Sequence, residues 1–206
     1  MDYVYSNMIA EYYNTLSNIP MILLGYYGYY YHYKLHRQVN YRFIVLMIIG
    51  VGSFVFHTTM SRFGQLLDEI PMIWLNSFLL FDMFPSILLF IPPIIISILY
   101  GIFNYYSIFL IYIALTGSIV FLAPIVILKS PLSKKLITIS LSLFTLGFIK
   151  WLLDFAFCPQ LHDYYLHAWW HIWSGLSVYY YIQFQLSLRR SFVYPYSLLT
   201  VIKIIE

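Results

Sequence analysis

Gly50-Val-Gly-Ser-Phe-Val-Phe-His-Thr-Thr-Met60 runs directly into Ser61-Arg-Phe-Gly-Gln-Leu-Leu-Asp-Glu-Ile-Pro-Met72. This stretch sets Ser53, His57, Asp68 and Glu69 inside or beside long apolar runs. Ionisable groups at membrane depth are costly, so each is by default a functional candidate. The surrounding chain decides that a membrane is the right frame. Only 9% of the 206 residues are charged and 62% are hydrophobic. Soluble domains carry about 25% charged residues, so a water-facing surface cannot be built from this composition. The apolar runs are longer than the ~10-residue strands of an outer-membrane barrel and do not alternate. Helices are then the way to satisfy the backbone in lipid.

Working outward from the opening stretch, seven spans of about 20 residues are expected, each long enough for a ~30 Å hydrocarbon core. They fall near 9–31, 40–61, 66–84, 86–102, 105–128, 133–156 and 163–187. Lys34 to Arg37, Ser61 to Gly64, Pro85, Asn104, Lys129 to Lys135 and Cys158-Pro-Gln160 separate them. Pro92-Pro93 is expected to kink or interrupt the fourth. The loops are too short for a soluble domain, so residues 1–206 read as one all-α, seven-transmembrane-helix bundle. No basic n-region or small-residue cleavage site marks a signal peptide, and the first apolar stretch reads as a permanent span.

Charge orients this bundle. Lys34, Arg37, Arg42, Lys129, Lys134, Lys135, Arg189, Arg190 and Lys203 fall on the side of the C-terminus, against Arg62 and Lys150 on the other. The positive-inside rule then puts the C-terminus in the cytosol and the N-terminus in a lumen or outside. Six of the eight acids, Asp2, Glu11, Asp68, Glu69, Asp154 and Asp163, lie towards the N-terminal side. Acids contribute little to that rule, so their gathering asks for another cause. A net charge of +3 is too small to argue for a nucleic-acid partner. The single cysteine, Cys158, leaves no internal disulfide.

Up-and-down threading brings His57, Asp68, His167, His171, Glu11 and Asn14 to one leaflet. His167-Ala-Trp-Trp-His171 is an i,i+4 pair whose rings share one helix face, a spacing that suits two ligands of one tetrahedral ion. Three histidines from two helices would leave the fourth position open, the pattern of a catalytic zinc site. Ser53 stands one turn before His57, and Asp68 is placed to take a proton from water at such a site. Each piece alone has a plainer role. The i,i+4 histidines can serve aromatic packing, His57 can be an interior histidine, Ser53 can be a small residue at a helix contact, and Asp68-Glu69 can cap a helix. Their convergence carries the reading. His32, His36 and His162 are expected at the surface, Trp169, Trp170 and Trp173 in packing or interface anchoring, and the tyrosines mostly at the lipid interface.

Ile9-Ala-Glu-Tyr-Tyr-Asn-Thr-Leu-Ser-Asn18, Gly52-Ser-Phe-Val-Phe-His57, Gln65-Leu-Leu-Asp-Glu-Ile-Pro-Met72, Trp151-x-x-Asp154 with Phe157-Cys158, and Leu166-His-Ala-Trp-Trp-His-Ile172 resemble, in order, the signature blocks of the alkaline ceramidases. The fourth and fifth spans match that family only in hydropathy. The resemblance implies an intramembrane zinc amidase acting on ceramide to give a sphingoid base and a fatty acid. It implies His57, His167 and His171 as zinc ligands, Asp68 as the carboxylate at the zinc's water, and Ser53 as the serine near the metal. An endoplasmic reticulum or Golgi membrane follows for a eukaryotic source. The family also carries a calcium site in an acidic loop before the first span. Here Asp2 and Glu11 are the candidate calcium oxygens, fewer than the 6–8 such an ion takes, and the loop cysteine that pairs with the one matching Cys158 is missing. Two other readings share the pattern. One is a signalling protein resembling the progestin and adipoQ receptors, against which stands the lack of a sizeable soluble N-terminal domain. The other is a lipid ester hydrolase, which spacing alone does not separate from an amidase. Oligomeric state is left open.

Overall fold

A computed structural model of the chain describes residues 7–124 and 131–188. Among these residues every regular element is helical. In chain order they are α1 (Tyr12–Leu16), α2 (Ile19–His36), α3 (Tyr41–Thr59), α4 (Arg62–Met83), a 3₁₀ turn (Ile87–Phe90), α5 (Ile91–Phe103), α6 (Tyr106–Leu122), α7 (Pro131–Leu161), a second 3₁₀ turn (His162–Tyr164) and α8 (Leu166–Leu188).

Local chemistry sets the boundaries. Asn40 caps α3, its Oδ1 accepting from the Arg42 amide at 3.2 Å. Ser61 caps α4 through the Gly64 amide at 3.1 Å. Both satisfy an amide that the first helical turn leaves without a partner. Left-handed residues close α2 at Arg37, α3 at Met60 and α5 at Asn104. With only Met60 and Ser61 between them, α3 and α4 must run antiparallel side by side. Their interface is backbone-close at two glycines. A Cβ on Gly52 would stand 2.1 Å from the Leu67 carbonyl oxygen, and one on Gly64 2.7 Å from the Phe56 Cα. Small residues at such crossings let helices approach without side chains between them.

The most extensive contacts are α7 on α8, α3 on α4 and α2 on α3, with α8 returning to α2 and α3. One apolar core joins them, including Phe43, Leu46, Leu79, Tyr181, Ile182 and Phe184. A smaller core of Ile73, Tyr100, Phe109 and Tyr112 ties α4 to α5 and α6. At the end of the bundle away from His57, Arg42 pairs with Asp82 in full burial and donates to Gln185 Oε1 at 3.3 Å. Gln185 in turn donates to the Leu79 carbonyl at 2.7 Å. That network pins α3, α4 and α8 together.

Tyr41–Thr59 and Pro131–Phe157 are each long and apolar enough to cross a bilayer, and Ile87–Phe103 and Tyr106–Leu122 are shorter apolar helical stretches. Several expectations need correction. The first stretch is two helices broken at Ser17-Asn18, because Asn18 and Ser17 spend their side chains on the Asn14 carbonyl. The fourth begins as a 3₁₀ turn, since Pro92 and Pro93 sit where α5 starts. The turn and α5 together rise about 27 Å at roughly 2.0 and 1.5 Å per residue. The sixth does not stop at Cys158: α7 runs to Leu161 through a kink at Phe157. The third span, expected from residue 66, begins at Arg62, so Asp68 lies two turns inside α4. His32, expected at the surface, is 4% exposed, with Nδ1 2.9 Å from the Gln38 carbonyl. His162 is exposed as expected. The tyrosines are not all interfacial: Tyr100, Tyr179 and Tyr181 are core residues, and Tyr181 donates to the Val120 carbonyl at 2.5 Å.

Candidate metal centre

His57 lies in the last turn of α3, one turn beyond Ser53. His167 and His171 occupy the first two turns of α8. The packing of α8 on α3 brings the three rings together, with centroids 5.2 Å apart for His57 and His167, 4.7 Å for His57 and His171, and 4.7 Å for His167 and His171. One nitrogen from each ring lies within 4.8 Å of the others. His57 and His171 are buried and His167 is half-buried.

What surrounds each ring decides which nitrogen faces inward. His57 Nδ1 is 2.5 Å from Glu11 Oε2. His171 Nδ1 is 2.8 Å from Ser17 Oγ and 3.2 Å from the Asn14 carbonyl oxygen. His167 Nδ1 faces Asp154 Oδ2 at 3.8 Å. The Nδ1 atoms of His57 and His171 thus have hydrogen-bonding outer partners, and the Asp154 carboxylate lies on the Nδ1 side of His167, which leaves Nε2 for the centre. A carboxylate or carbonyl behind a histidine is the usual second layer of a metal site, fixing its tautomer. Donors about 2.0–2.1 Å from a tetrahedral zinc stand roughly 3.4 Å apart, so closing on an ion asks each ring to move by about 1 Å or less. These residues fit a zinc ion with one position open.

The acidic and hydroxyl partners arrive from α3 and α4. Gly52 lets the Leu67–Asp68 backbone lie directly on α3. That contact sets the half-buried Asp68 beside the Ser53 hydroxyl and within electrostatic reach of His57. Ser53 itself is 2% exposed. The five residues expected at the site are therefore gathered in one place. Glu11 joins them, but as a partner of His57 and of Asn14 Nδ2, which it meets at 3.0 Å. Asp2, the other candidate calcium oxygen, lies outside the described residues.

Two features escaped the sequence reading. Ser17 touches His171, but a serine in an apolar helix carries no mark that separates a ligand's partner from a packing residue. Glu69, next to Asp68, accepts from the Tyr100 hydroxyl and from Gln65 at 3.3 Å. Arg62 holds Tyr100 in place, donating to its hydroxyl at 2.8 Å and its carbonyl at 2.6 Å. This cluster clamps the start of α4 to the end of α5. The only hint was polar residues clustered beside Asp68, and their partner is over thirty positions away.

Fold and site together define a helical bundle whose three clustered imidazoles, from two helices, can hold a metal ion. Comparison with known proteins narrows that class. A family model described as Ceramidase matches residues 1–197, and the chain belongs to the ceramidase family. It is 30% identical to Alkaline ceramidase 3 of Mus musculus, over 93% of this chain and 82% of the mouse protein. It is also 30% identical to Alkaline ceramidase 1 of Homo sapiens, over 85% of this chain and 75% of that one. Alkaline ceramidase YPC1 of Saccharomyces cerevisiae matches at 30% over 88% of this chain and 72% of its own length.

Proposed function

We propose that this protein is a zinc-dependent ceramidase, cleaving the amide of ceramide to a sphingoid base and a free fatty acid. The observation that carries the reading is the approach of His57, His167 and His171 to within 4.8 Å, with Asp68 and Ser53 beside them, in a chain of the ceramidase family. The bundle is read as seven membrane spans with the N-terminus lumenal or outside and the C-terminus cytosolic. An endoplasmic reticulum or Golgi membrane is proposed as its place.

A bound zinc with an open position lowers the pKa of a water to about 7 and polarises a carbonyl. The chain's own residues supply the rest. Asp68 accepts a proton from the attacking water as its oxygen bonds to the amide carbon. Ser53 donates a hydrogen bond to the carbonyl oxygen as negative charge develops there. As the C–N bond breaks, Asp68 returns the proton to the leaving nitrogen. The products are one carboxylic acid and one amine, with one water consumed.

Purified protein in lipid discs should hydrolyse ceramide, lose that activity to a zinc chelator and regain it with zinc. His171→Ala should bind less than a tenth of the wild-type zinc and turn over no ceramide. Full zinc and full turnover in that variant would refute the scheme. An ester analogue of the substrate run in parallel separates amidase from esterase. Calcium through Glu11 and Asp2 is a separate proposal. It predicts that a calcium-selective chelator lowers turnover, and unchanged turnover removes calcium.

A further inference from the structure

The turn α1 lies against the metal centre, and its spacing Glu11-x-x-Asn14-x-x-Ser17 faces two histidines of two different helices. The backbone first zips this segment to the end of α3. The Ala10 amide donates to the Thr58 carbonyl at 3.0 Å and the Glu11 amide to the His57 carbonyl at 2.9 Å. These bonds satisfy carbonyls that the last turn of α3 leaves free. They also hold Glu11 at the His57 ring.

Asn14 is the hub. Its side-chain amide donates to the Glu11 carboxylate oxygen that meets His57, at 3.0 Å. Its main-chain oxygen faces the other way, accepting from Ser17 Oγ and Asn18 Nδ2 at 2.8 Å each, with His171 Nδ1 at 3.2 Å. That oxygen is free to do so because the helix breaks here. The Asn18 amide bonds instead to the Thr15 carbonyl, at 3.3 Å. Ser17 and Asn18 are 7% and 0% exposed, so solvent does not compete.

The donor inventory then assigns the protons. A carbonyl only accepts, so the proton between Asn14 and His171 sits on Nδ1. Ser17 gives its own hydroxyl proton to the Asn14 carbonyl and accepts from the same Nδ1. A carboxylate likewise accepts from His57 Nδ1. Both imidazoles are therefore held with Nε2 bare and aimed at the centre. From outside, the Tyr13 and Tyr165 rings, 4.1 Å apart, close α1 onto the start of α8.

We propose that Asn14 and Ser17 are positioning residues of the metal centre, through which one helical turn sets the tautomer and tilt of His57 and His171 together. The proposal rests on the zinc reading above and adds residues that do not touch the ion. Loss of such outer partners costs metal sites about 10–100-fold in affinity. The test is a zinc affinity, read by competition with a chromogenic chelator on the full chain. Wild type is compared with Ser17→Ala, Asn14→Asp and Ser140→Ala. The last removes a buried serine pair, Ser140 with Ser177 at 3.2 Å, which bridges α7 and α8. Asn14→Asp keeps the shape but sets a second carboxylate against Glu11.

Ser17→Ala and Asn14→Asp should each weaken zinc binding about 10–100-fold, while Ser140→Ala binds as wild type does. The zinc-free melting temperature of Ser17→Ala should fall no further than that of Ser140→Ala. Wild-type zinc affinity in either α1 variant overturns the proposal and leaves the zinc reading intact. A weakened Ser140→Ala overturns it too, because the loss would then follow stability rather than ring position. If Ser17→Ala does not fold, Asn14→Asp alone decides. A wild-type protein that binds no zinc removes both readings.

Discussion

Gly52→Ala places a single methyl group where the structure has no room for it. The added Cβ would stand 2.1 Å from the Leu67 carbonyl oxygen, 2.4 Å from its carbon and 2.7 Å from the Asp68 amide nitrogen. All three are backbone atoms, so no side chain can swing aside. Real Cβ contacts essentially never fall under 3.0 Å and ordinary ones lie at 3.4–4 Å, so α3 and α4 must part by about 1 Å. Overpacking of this kind costs about 1–3 kcal/mol, offset by up to ~1 kcal/mol from alanine's better helix propensity. The larger effect falls on chemistry. In the proposed reaction Asp68 is the proton acceptor and rides on the displaced segment, and a ~1 Å misplacement of such a group can cost about 100-fold in rate. The three histidines belong to α3 and α8, so zinc content should stay at the wild-type level. Three readouts separate these effects: ceramide turnover, zinc per chain, and melting temperature. A kcat within twofold of wild type would refute the claim that the α3–α4 contact positions Asp68. Loss of zinc in step with loss of activity would refute the claim that the carboxylate and the imidazoles are held independently. Gly101→Ala is the control: nothing lies within 4 Å of its added Cβ, and helix stability should rise by about 0.5–1 kcal/mol.

Arg42→Met leaves Asp82 buried without its cation and should destabilise the bundle by about 3–5 kcal/mol, whereas Arg42→Met/Asp82→Leu should recover most of it. Thermal unfolding in one detergent measures both, and a double variant no better than the single one would contradict the pairing. Tyr100→Phe deprives Arg62 and Glu69 of their shared hydroxyl. A loss of about 1–3 kcal/mol is expected, with wild-type zinc content, and an unchanged melting temperature would mean that the clamp carries no load. Stripping zinc should lower the melting temperature by roughly 5–10 °C, the equivalent of about 2.7 kcal/mol when zinc is at 100-fold its dissociation constant. Equal melting temperatures with and without zinc would count against a site on these histidines.

Much of the site was legible because a hydrocarbon surrounding makes polar residues conspicuous. The i,i+4 spacing of His167 and His171 was enough to predict adjoining rings, and their centroids stand 4.7 Å apart. Adding His57 needed one further step, that successive helices alternate in direction; the two-residue link at Met60-Ser61 enforces this for α3 and α4, and the packing of α8 on α3 brings the rings together. Helix boundaries were harder. Hydropathy runs unbroken through Ser17-Asn18, and the break there comes from side chains that bond to the Asn14 carbonyl, which composition does not register. Asp68 looked like the start of a helix because charge marks apolar boundaries, yet Ser61 is the cap and the carboxylate is interior. His32 was misplaced for a related reason. The Tyr-rich end of α2 reads as interface on either face, and only the fold shows which face meets α3.

The polar residues separate into two groups with different duties. At one end Arg42, Asp82, Gln185 and the Leu79 carbonyl form a buried network. At the other, Glu11, Asn14, Ser17 and Asp154 each stand behind an imidazole or behind another residue that does. Buried charge is costly in both places, but the remedies differ. The first group neutralises itself, so its removal in pairs should be tolerated. The second turns the Nδ1 atoms of three imidazoles towards outer residues, which leaves Nε2 as the atom facing the centre. A bundle stabilised for its own sake would do as well with apolar side chains at those positions, since well-packed apolar groups in place of buried polar ones are often neutral or stabilising. That the chain instead invests a whole helical turn in orienting two of those imidazoles is the strongest physical argument that the centre is built to receive an ion.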